Sequence, residues 1–324
     1  MIEAIYYIAF GLLSFLVTLG FTGLLIPRLA RAGITGMDEN KSGGPAIPEM
    51  GGIAIVAGFS AGMLLAIFFN SFAGFGFNLV TVLAAIITIH AIAFIGMVDD
   101  LVTIPQWLKA ILPLFAAVPL VVVKAAGSTA MMLPLIGAVD FGVLYLFVLV
   151  PVAIAVCSNL TNMLAGFNGM ETGMAAVMFA ALSILALSHG QTEMSIITLS
   201  MLGALVAFFY FNKYPAKVFP GDVGNLTIGV AVASAVIIGN LESAGVILMM
   251  PYIADFFVKL KNRFPHTHQE LKRGKLYPKE GKMRGLVHVV MKAFNGITER
   301  NLVLFFIAVE LVFAAIALAL YVGL

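Results

Sequence analysis

Apolar residues in this chain run in long blocks separated by short polar stretches, not in alternation or on one helical face. Blocks of about 17–25 such residues match helices that cross the hydrocarbon layer of a bilayer. Ten blocks are present: Ala4 to Ile26, Gly51 to Asn70, Asn78 to Met97, Ala110 to Ala125, Val143 to Ser158, Thr172 to Ser188, Met194 to Phe211, Asn225 to Gly239, Ala244 to Val258 and Asn301 to Val322. The fourth, eighth and ninth are short, which predicts spans that are tilted, extended by polar ends or partly re-entrant. The first starts almost at Met1 and reads as a span, not as a cleavable leader. No internal repeat of the kind seen in secondary transporters is evident. The expectation is an all-α, polytopic membrane protein of about ten transmembrane helices, residues 1–324 forming one integral membrane domain.

Composition sharpens the class. The 324 residues are 61% hydrophobic and only 10% charged, with a mean hydropathy of +1.07. A soluble domain with about 25% charged residues would look quite different. The single cysteine, Cys157, excludes an intramolecular disulfide framework and reads as a small buried residue. Ten crossings put both termini on one side and alternate the loops between two faces. All of the eighteen Lys and Arg residues except Lys124 then fall on one face, eleven of them in the long basic segment 259–300. Basic loops stay in the cytoplasm, so that face is expected to be cytoplasmic and both termini outside.

The same face carries the unusual polar groups. Lys41 to Gly52 contains Glu49 and a Gly51-Gly52 pair, where backbone could approach a ligand closely or helix amides could bind an anion. Asp99 and Asp100 are adjacent carboxylates at the membrane border, with Lys109 nearby; their repulsion asks for a metal, a lysine or a proton. Asn159 and Asn162 stand at i, i+3, on one face of a helix, ahead of Asn168 and Glu171. Carboxamides there can ligate a hard cation or simply cap a helix. Asp222 sits in a Gly-flanked turn after Lys217, suited either to presenting a carboxylate to Mg²⁺ or to capping the next helix. His266 and His268 precede Lys272, Arg273 and Lys275. Too few partner ligands surround them for zinc; phosphate recognition fits the basic neighbours better, and a solvated basic loop beside anionic lipid is the competing reading. Together these groups on one face suggest phosphoryl transfer involving an anionic substrate.

Five ordered motifs carry a resemblance over almost the whole chain. Val98-Asp-Asp100, Asn159-x-x-Asn162-x-x-Ala-Gly-x-Asn-Gly169, Ala216-x-Val-Phe-x-Gly-Asp222 and His266-x-His268 are the most telling. The chain resembles the polyprenyl-phosphate N-acetylhexosamine-1-phosphate transferases, of the glycosyltransferase family 4 type. The resemblance implies transfer of a sugar 1-phosphate from a UDP-sugar to a polyprenyl phosphate, with release of UMP. It implies that Asp222, with Asn162, holds Mg²⁺ (Mn²⁺ substituting). Asp99 and Asp100 would lie near the lipid phosphate, either as a base or by organising Lys109. His266 and His268 would contact phosphate, and Asn168 and Glu171 would lie by the nucleotide. Lys41, Glu49, Asn159 and Lys217 complete the implied substrate contacts. Enzymes that use UDP-MurNAc-pentapeptide look like Asn-x-x-Asn-x-x-Asp-Gly-x-Asp-Gly, whereas here Ala165 and Asn168 replace the two aspartates. That form looks like the enzymes that load GlcNAc onto dolichyl phosphate. The implied partners are UDP-GlcNAc, a polyprenyl or dolichyl phosphate and the membrane, not nucleic acid, with a homodimer left open.

A lipid phosphate monoester has a second pKa of about 6 and is already dianionic at neutral pH. Proton removal by Asp99 or Asp100 therefore competes with charge balance or positioning. Two other readings stand beside this one: a peptidoglycan-type phospho-MurNAc-pentapeptide translocase, and a secondary transporter using intramembrane carboxylates such as Asp255 and Glu310. Asp255 also reads as a partner of the polar site, and Glu310 as one half of an interhelical hydrogen bond.

Overall fold

The structure, a computed structural model, describes residues 2–133, 136–264 and 268–323. The chain opens with α1 (Ile2–Ala32), a hairpin of β1 (Thr35–Met37) and β2 (Ala46–Pro48), then α2 (Gly52–Phe72) and α3 (Leu79–Val102). The next span is α4 (Gln106–Ala116) continued by α5 (Val118–Ala125), broken where Pro113 and Pro119 flank Ala117. A second hairpin, β3 (Ala130–Leu133) with β4 (Gly137–Asp140), leads into α6 (Gly142–Leu144), a π-helical turn (Tyr145–Leu149) and α7 (Val150–Leu164). Then come α8 (Met170–Ser188), α9 (Thr192–Asn212) and α10 (Gly221–Ile238). The pair α11 (Glu242–Leu248) and α12 (Met250–Lys261) follows, then the hairpin β5 (Gln269–Lys272) and β6 (Lys275–Pro278), α13 (Leu286–Ala293) and α14 (Glu299–Tyr321).

Among the described residues, nine helical spans are long and apolar enough to cross a membrane; α11 and α12, bent by 63°, make a tenth if taken as one span. Contacts at the two ends of the bundle show how that pair runs. At one end, Tyr6 packs on Phe69 and Phe75, Lys124 bonds the carbonyl of Ile237 at 3.1 Å and Tyr145 donates to Glu242. His189 donates from Nε2 to Tyr321 O there, at 2.8 Å. At the other end, Lys259 at the close of α12 reaches the carbonyl of Met163. The broken pair therefore connects the two ends of the bundle. Tyr6 in α1 and Tyr321 at the close of α14 both lie at the end opposite that contact.

Sequence expectation and structure agree on the helices but not on their limits. The eighth block, expected from Asn225, starts at Gly221, and the fourth starts at Gln106. Polar residues that looked like loop are the first or last turns of helices. The ninth block is broken because Pro251, at the start of α12, cannot donate to the preceding turn. The three short hairpins were not read from the sequence. The segment 259–300 is structured, containing β5, β6 and α13 in addition to its basic residues. Glu310 is fully buried in α14. Neither of its oxygens has a hydrogen-bond partner among the described residues, contrary to the interhelical bond expected.

The centre of the bundle is α10. Its sequence is crowded with Gly, Ala, Ser and Val, and almost every residue from Gly221 to Ile237 is buried. Small side chains let neighbouring backbones come close, which is the main route to tight packing between helices in lipid. A Cβ on Gly52 of α2 would lie 2.3 Å from the Cα of Gly224, and one on Gly96 of α3 would lie 2.7 Å from the carbonyl oxygen of Asp222. The Gly51-Gly52 pair reads from sequence as room for a ligand; in the structure Gly52, like Gly96, makes room for the first turn of α10. The amides of Gly51 and Gly52 are taken by the carbonyls of Phe219 and Pro220, at 2.9 and 2.8 Å, and so do not face an anion.

Gly52→Ala is expected to force α2 and α10 apart and destabilise the protein by about 1–3 kcal/mol, as overpacking does. Gly20→Ala, whose Cβ would meet nothing within 4 Å, should leave stability intact. Thermal unfolding of the two variants in detergent checks this pair.

Candidate active site

The polar end of the bundle is assembled around the first turn of α10. Amides at a helix start have no partner within their own helix. Here Asp100, from the last turn of α3, supplies the acceptors. Its Oδ1 takes the amide of Asp222 at 2.8 Å and its Oδ2 that of Val223 at 3.0 Å. The negative charge also complements the positive end of the helix dipole. Gly221 has φ +69, and a Cβ there would press within 2.7 Å of the Asp100 carboxylate. Asp222 is not the cap of α10, one of its two readings from sequence; Asp100 has that role from across the bundle.

Lys109, near the start of α4, bridges the remaining carboxylates. Its Nζ pairs with Asp99 and lies 2.7 Å from Oδ2 of Asp222. Asp99 is buried and also accepts the amide of Ile104 at 2.6 Å. Three aspartates and one lysine thus meet within two turns of α3, α4 and α10.

Beside them opens a cavity of about 360 Å³. Asp38, Glu39, Glu49, Asn162, Glu171, Asp222 and Asn225 contribute to its wall, and no Lys or Arg does among the described residues. The consequence is visible at Glu49, whose pKa is raised by burial and by the nearby charge of Asp222. Glu171 accepts the amide of Gly166, while Asn225 donates to Oδ1 of Asn162 at 3.1 Å. The side-chain oxygen Oδ1 of Asn225 is buried with no hydrogen-bond donor among the described residues.

Behind the cavity a second network holds the connections in place. Asn168, 2% exposed, uses its whole carboxamide. Its oxygen accepts from Lys41 at 2.9 Å and from the amide of Ala216 at 2.6 Å, and its nitrogen donates to Asp38 at 3.1 Å and Glu299 at 2.6 Å. Lys41 pairs with Asp38 and sits over the ring of Tyr214. Asn40 donates to the carbonyl of Gly166 at 2.8 Å and accepts from Gln269.

The structure therefore sorts the residues expected from sequence. Glu49, Asn162, Glu171 and Asp222 line the cavity, and Asp99, Asp100 and Lys109 back Asp222. Lys41 and Asn168 lie in the supporting network. Asn159 is turned to backbone, donating to the carbonyls of Ala155 and Lys109 at 2.8 and 3.3 Å. Lys217 is exposed over Tyr210. His268 stands at the rim, 3.8 Å from Glu39, and His266 lies outside the described residues. Sequence reading passed over Asp38, Asn40, Asn225 and Glu299. Asn225 had a usable signal, being three residues after Asp222 on the same helix face; Glu299 had none, because its partners are more than 100 residues away.

The donor set fits a hard divalent cation. Carboxylate and carboxamide oxygens are what Mg²⁺ takes, and this wall offers several of both together with the unpartnered buried Oδ1 of Asn225. No group of three or more His, Cys, Asp or Glu side chains forms a ready cage among the described residues. Mg²⁺ commonly binds through one or two carboxylates with waters and substrate phosphates completing the shell, so no such cage is required.

A many-span helical membrane protein with an acidic cavity at one end of the bundle is the class that fold and site define. Residues 80–240 match the model of glycosyl transferase family 4. A protein of Saccharolobus solfataricus, provisionally named a UDP-N-acetylglucosamine–dolichyl-phosphate N-acetylglucosaminephosphotransferase, is 36% identical over 95% of each chain. The protein of that name from Dictyostelium discoideum is 28% identical over 86% of this chain and 80% of its own. A phospho-N-acetylmuramoyl-pentapeptide-transferase of Geobacillus kaustophilus is 33% identical over 72% of this chain and 76% of its own. This chain belongs to glycosyl transferase family 4.

The charge at the cavity wall has a pH signature. A carboxyl whose folded pKa lies above its ordinary value of 4.5 favours folding while protonated, and that contribution is lost as pH rises through the folded value. Glu49→Gln is therefore expected to raise the melting temperature of metal-free protein at about pH 7 and to change nothing near pH 4. Melting curves in EDTA at the two pH values check it.

Proposed function

We propose that this protein transfers N-acetylglucosamine 1-phosphate from UDP-N-acetylglucosamine to a polyprenyl or dolichyl-type phosphate, releasing UMP. The observation that carries the proposal is Asp222 at the wall of an oxygen-lined cavity, backed by Lys109, which also pairs with Asp99. The names of the relatives from Saccharolobus solfataricus and Dictyostelium discoideum support the same donor and acceptor. Ala165 lines the cavity, at a position where the resemblance to the pentapeptide transferases would require an aspartate.

The polar end of the bundle is taken to face the cytoplasm, with both termini outside. Every Lys and Arg except Lys124 belongs to that end, and basic connections are retained on the cytoplasmic side. A cytosolic nucleotide sugar can then reach the cavity directly while the lipid phosphate arrives from the inner leaflet.

In the reaction, an oxygen of the lipid phosphate forms a bond to the phosphorus that carries the sugar, and the bond from that phosphorus to UMP breaks. No proton need be removed first, because the attacking phosphate is a dianion at neutral pH. The geometry favours positioning over base catalysis for both aspartates of α3. Asp100 is committed to the amides of α10, and Asp99 to Lys109 and Ile104. Lys109 offsets charge where two polyanions approach. Asp222 with Asn162 would hold Mg²⁺ or Mn²⁺, and Asn225 stands beside them. The ion, when bound, neutralises the pyrophosphate of the donor.

Phospho-MurNAc-pentapeptide transfer is the second reading, favoured by the Geobacillus kaustophilus relative. Purified protein given Mg²⁺, polyprenyl phosphate and UDP-N-acetylglucosamine should release UMP, and should release none with UDP-MurNAc-pentapeptide. The reverse result would favour the second reading, and release with neither would favour a transporter. Asp222→Asn should cut turnover by about a hundredfold or more while the protein still folds; unchanged turnover would remove the metal assignment. A single displacement also forbids exchange of labelled UMP into UDP-N-acetylglucosamine when lipid phosphate is absent, and such exchange would point to a phospho-enzyme.

A further inference from the structure

One heavily buried ion pair at the polar end lies outside the cavity. Asp255 and Lys259, one turn apart on α12, pair at 2.8 Å with side chains 1% and 11% exposed. A buried pair of this kind gains little net stability over apolar residues of the same size. Its bonds run to other parts of the site. The Lys259 ammonium donates to the carbonyl of Met163, the residue after Asn162 in the last turn of α7. The other oxygen of Asp255 accepts the amide of Leu286, the first residue of α13, at 2.7 Å. The carbonyl of Lys259 accepts the amide of Phe264 at 2.8 Å.

These bonds grip three points. One is the helix end that presents Asn162 to the cavity. The other two are the entrance and the exit of the segment that carries His266 and His268. In α13, His288 is fully buried, and its Nδ1 accepts the amide of Arg284 at 3.1 Å. Burial lowers the His288 pKa, and the charges of Arg284 and Lys259 push it the same way. The ring is therefore neutral at pH 7, so Lys259 is the cation that Asp255 holds.

We propose that Asp255 and Lys259 are positioning residues for the reaction. By bonding Met163 they set where Asn162 stands relative to Asp222, and by bonding Leu286 they hold the start of α13 against α12. The proposal rests on the reading of Asp222 and Asn162 as cation ligands. It assigns the pair no contact with substrate.

The test uses full-length protein in detergent and reads Mn²⁺ binding by EPR titration in the presence of UDP-N-acetylglucosamine, with melting temperature and steady-state kinetics alongside. Lys259→Met removes the donor to Met163 and is expected to weaken Mn²⁺ binding about 10- to 100-fold, the usual cost of losing support behind a ligand. Lys259→Arg keeps charge and donors and should retain most of the affinity. Because Lys259→Met leaves a lone buried carboxylate and risks misfolding, Asp255→Asn combined with Lys259→Met provides a neutral pair of similar volume. That double variant should melt near the wild type and still bind Mn²⁺ weakly, with KM for the donor raised more than kcat is lowered. A folded double variant that binds Mn²⁺ like the wild type overturns the proposal, as does a wild type that binds no Mn²⁺. A wild type that binds Mn²⁺ but releases no UMP from any UDP-sugar removes the proposed activity alone, and the comparison of affinities still decides the role of the pair.

Discussion

The geometry of the polar end depends on how the first turn of α10 is satisfied. A helix start buried in the middle of a bundle must find acceptors for amides that have no partner in the helix itself. Asp100 meets that need from α3 with both carboxylate oxygens. Once it does, Asp222 on the same turn cannot drift. Lys109 then has a fixed carboxylate on each side, Asp99 and Asp222. The adjacent aspartates, which look alike in sequence, thus divide into one that holds a helix and one that holds a lysine.

Packing of the small residues in α10 allows this arrangement to exist. Gly52, Gly96, Gly224 and Gly229 all face backbone or side chains that a Cβ would strike. Close approach brings the ends of α2, α3, α7 and α10 to one place, and each contributes a polar group or the connection that carries one. The result is a cavity walled by carboxylate and carboxamide oxygens with no Lys or Arg among the described lining residues, where burial and then Asp222 raise the pKa of Glu49. A site of this kind is suited to a cation and the phosphates it bridges. Preorganised electrostatics of this sort supply most of what phosphoryl transfer asks of a protein.

Much of this was legible along the chain. Hydropathy blocks marked the spans, and the charge asymmetry gathered the polar motifs at one end, because both signals are local and survive without knowledge of contacts. Asp222, Glu49, Asn162 and Glu171 could be picked out as polar residues at helix ends beside glycines. The roles of Asn159 and Asn168 could not, because a carboxamide bonded to backbone and one open to a ligand have the same sequence signature. Gly51 and Gly52 were misread for a related reason: a glycine that admits a ligand and a glycine that admits a helix look identical until the neighbour is known.

The sequence alone therefore determined the class, the approximate spans and the gathering of the chemistry at one end, since a bilayer selects on the average polarity of short segments. Tertiary structure decided the central place of α10, the bridging of Asp99 and Asp222 by Lys109, the capping by Asp100 and the grip of Lys259 on the end of α7. Those contacts join residues that stand 96 to 123 positions apart, except for Lys109 with Asp99. No periodicity or local propensity encodes such pairings; they arise only when helices that each satisfy the membrane also pack against one another.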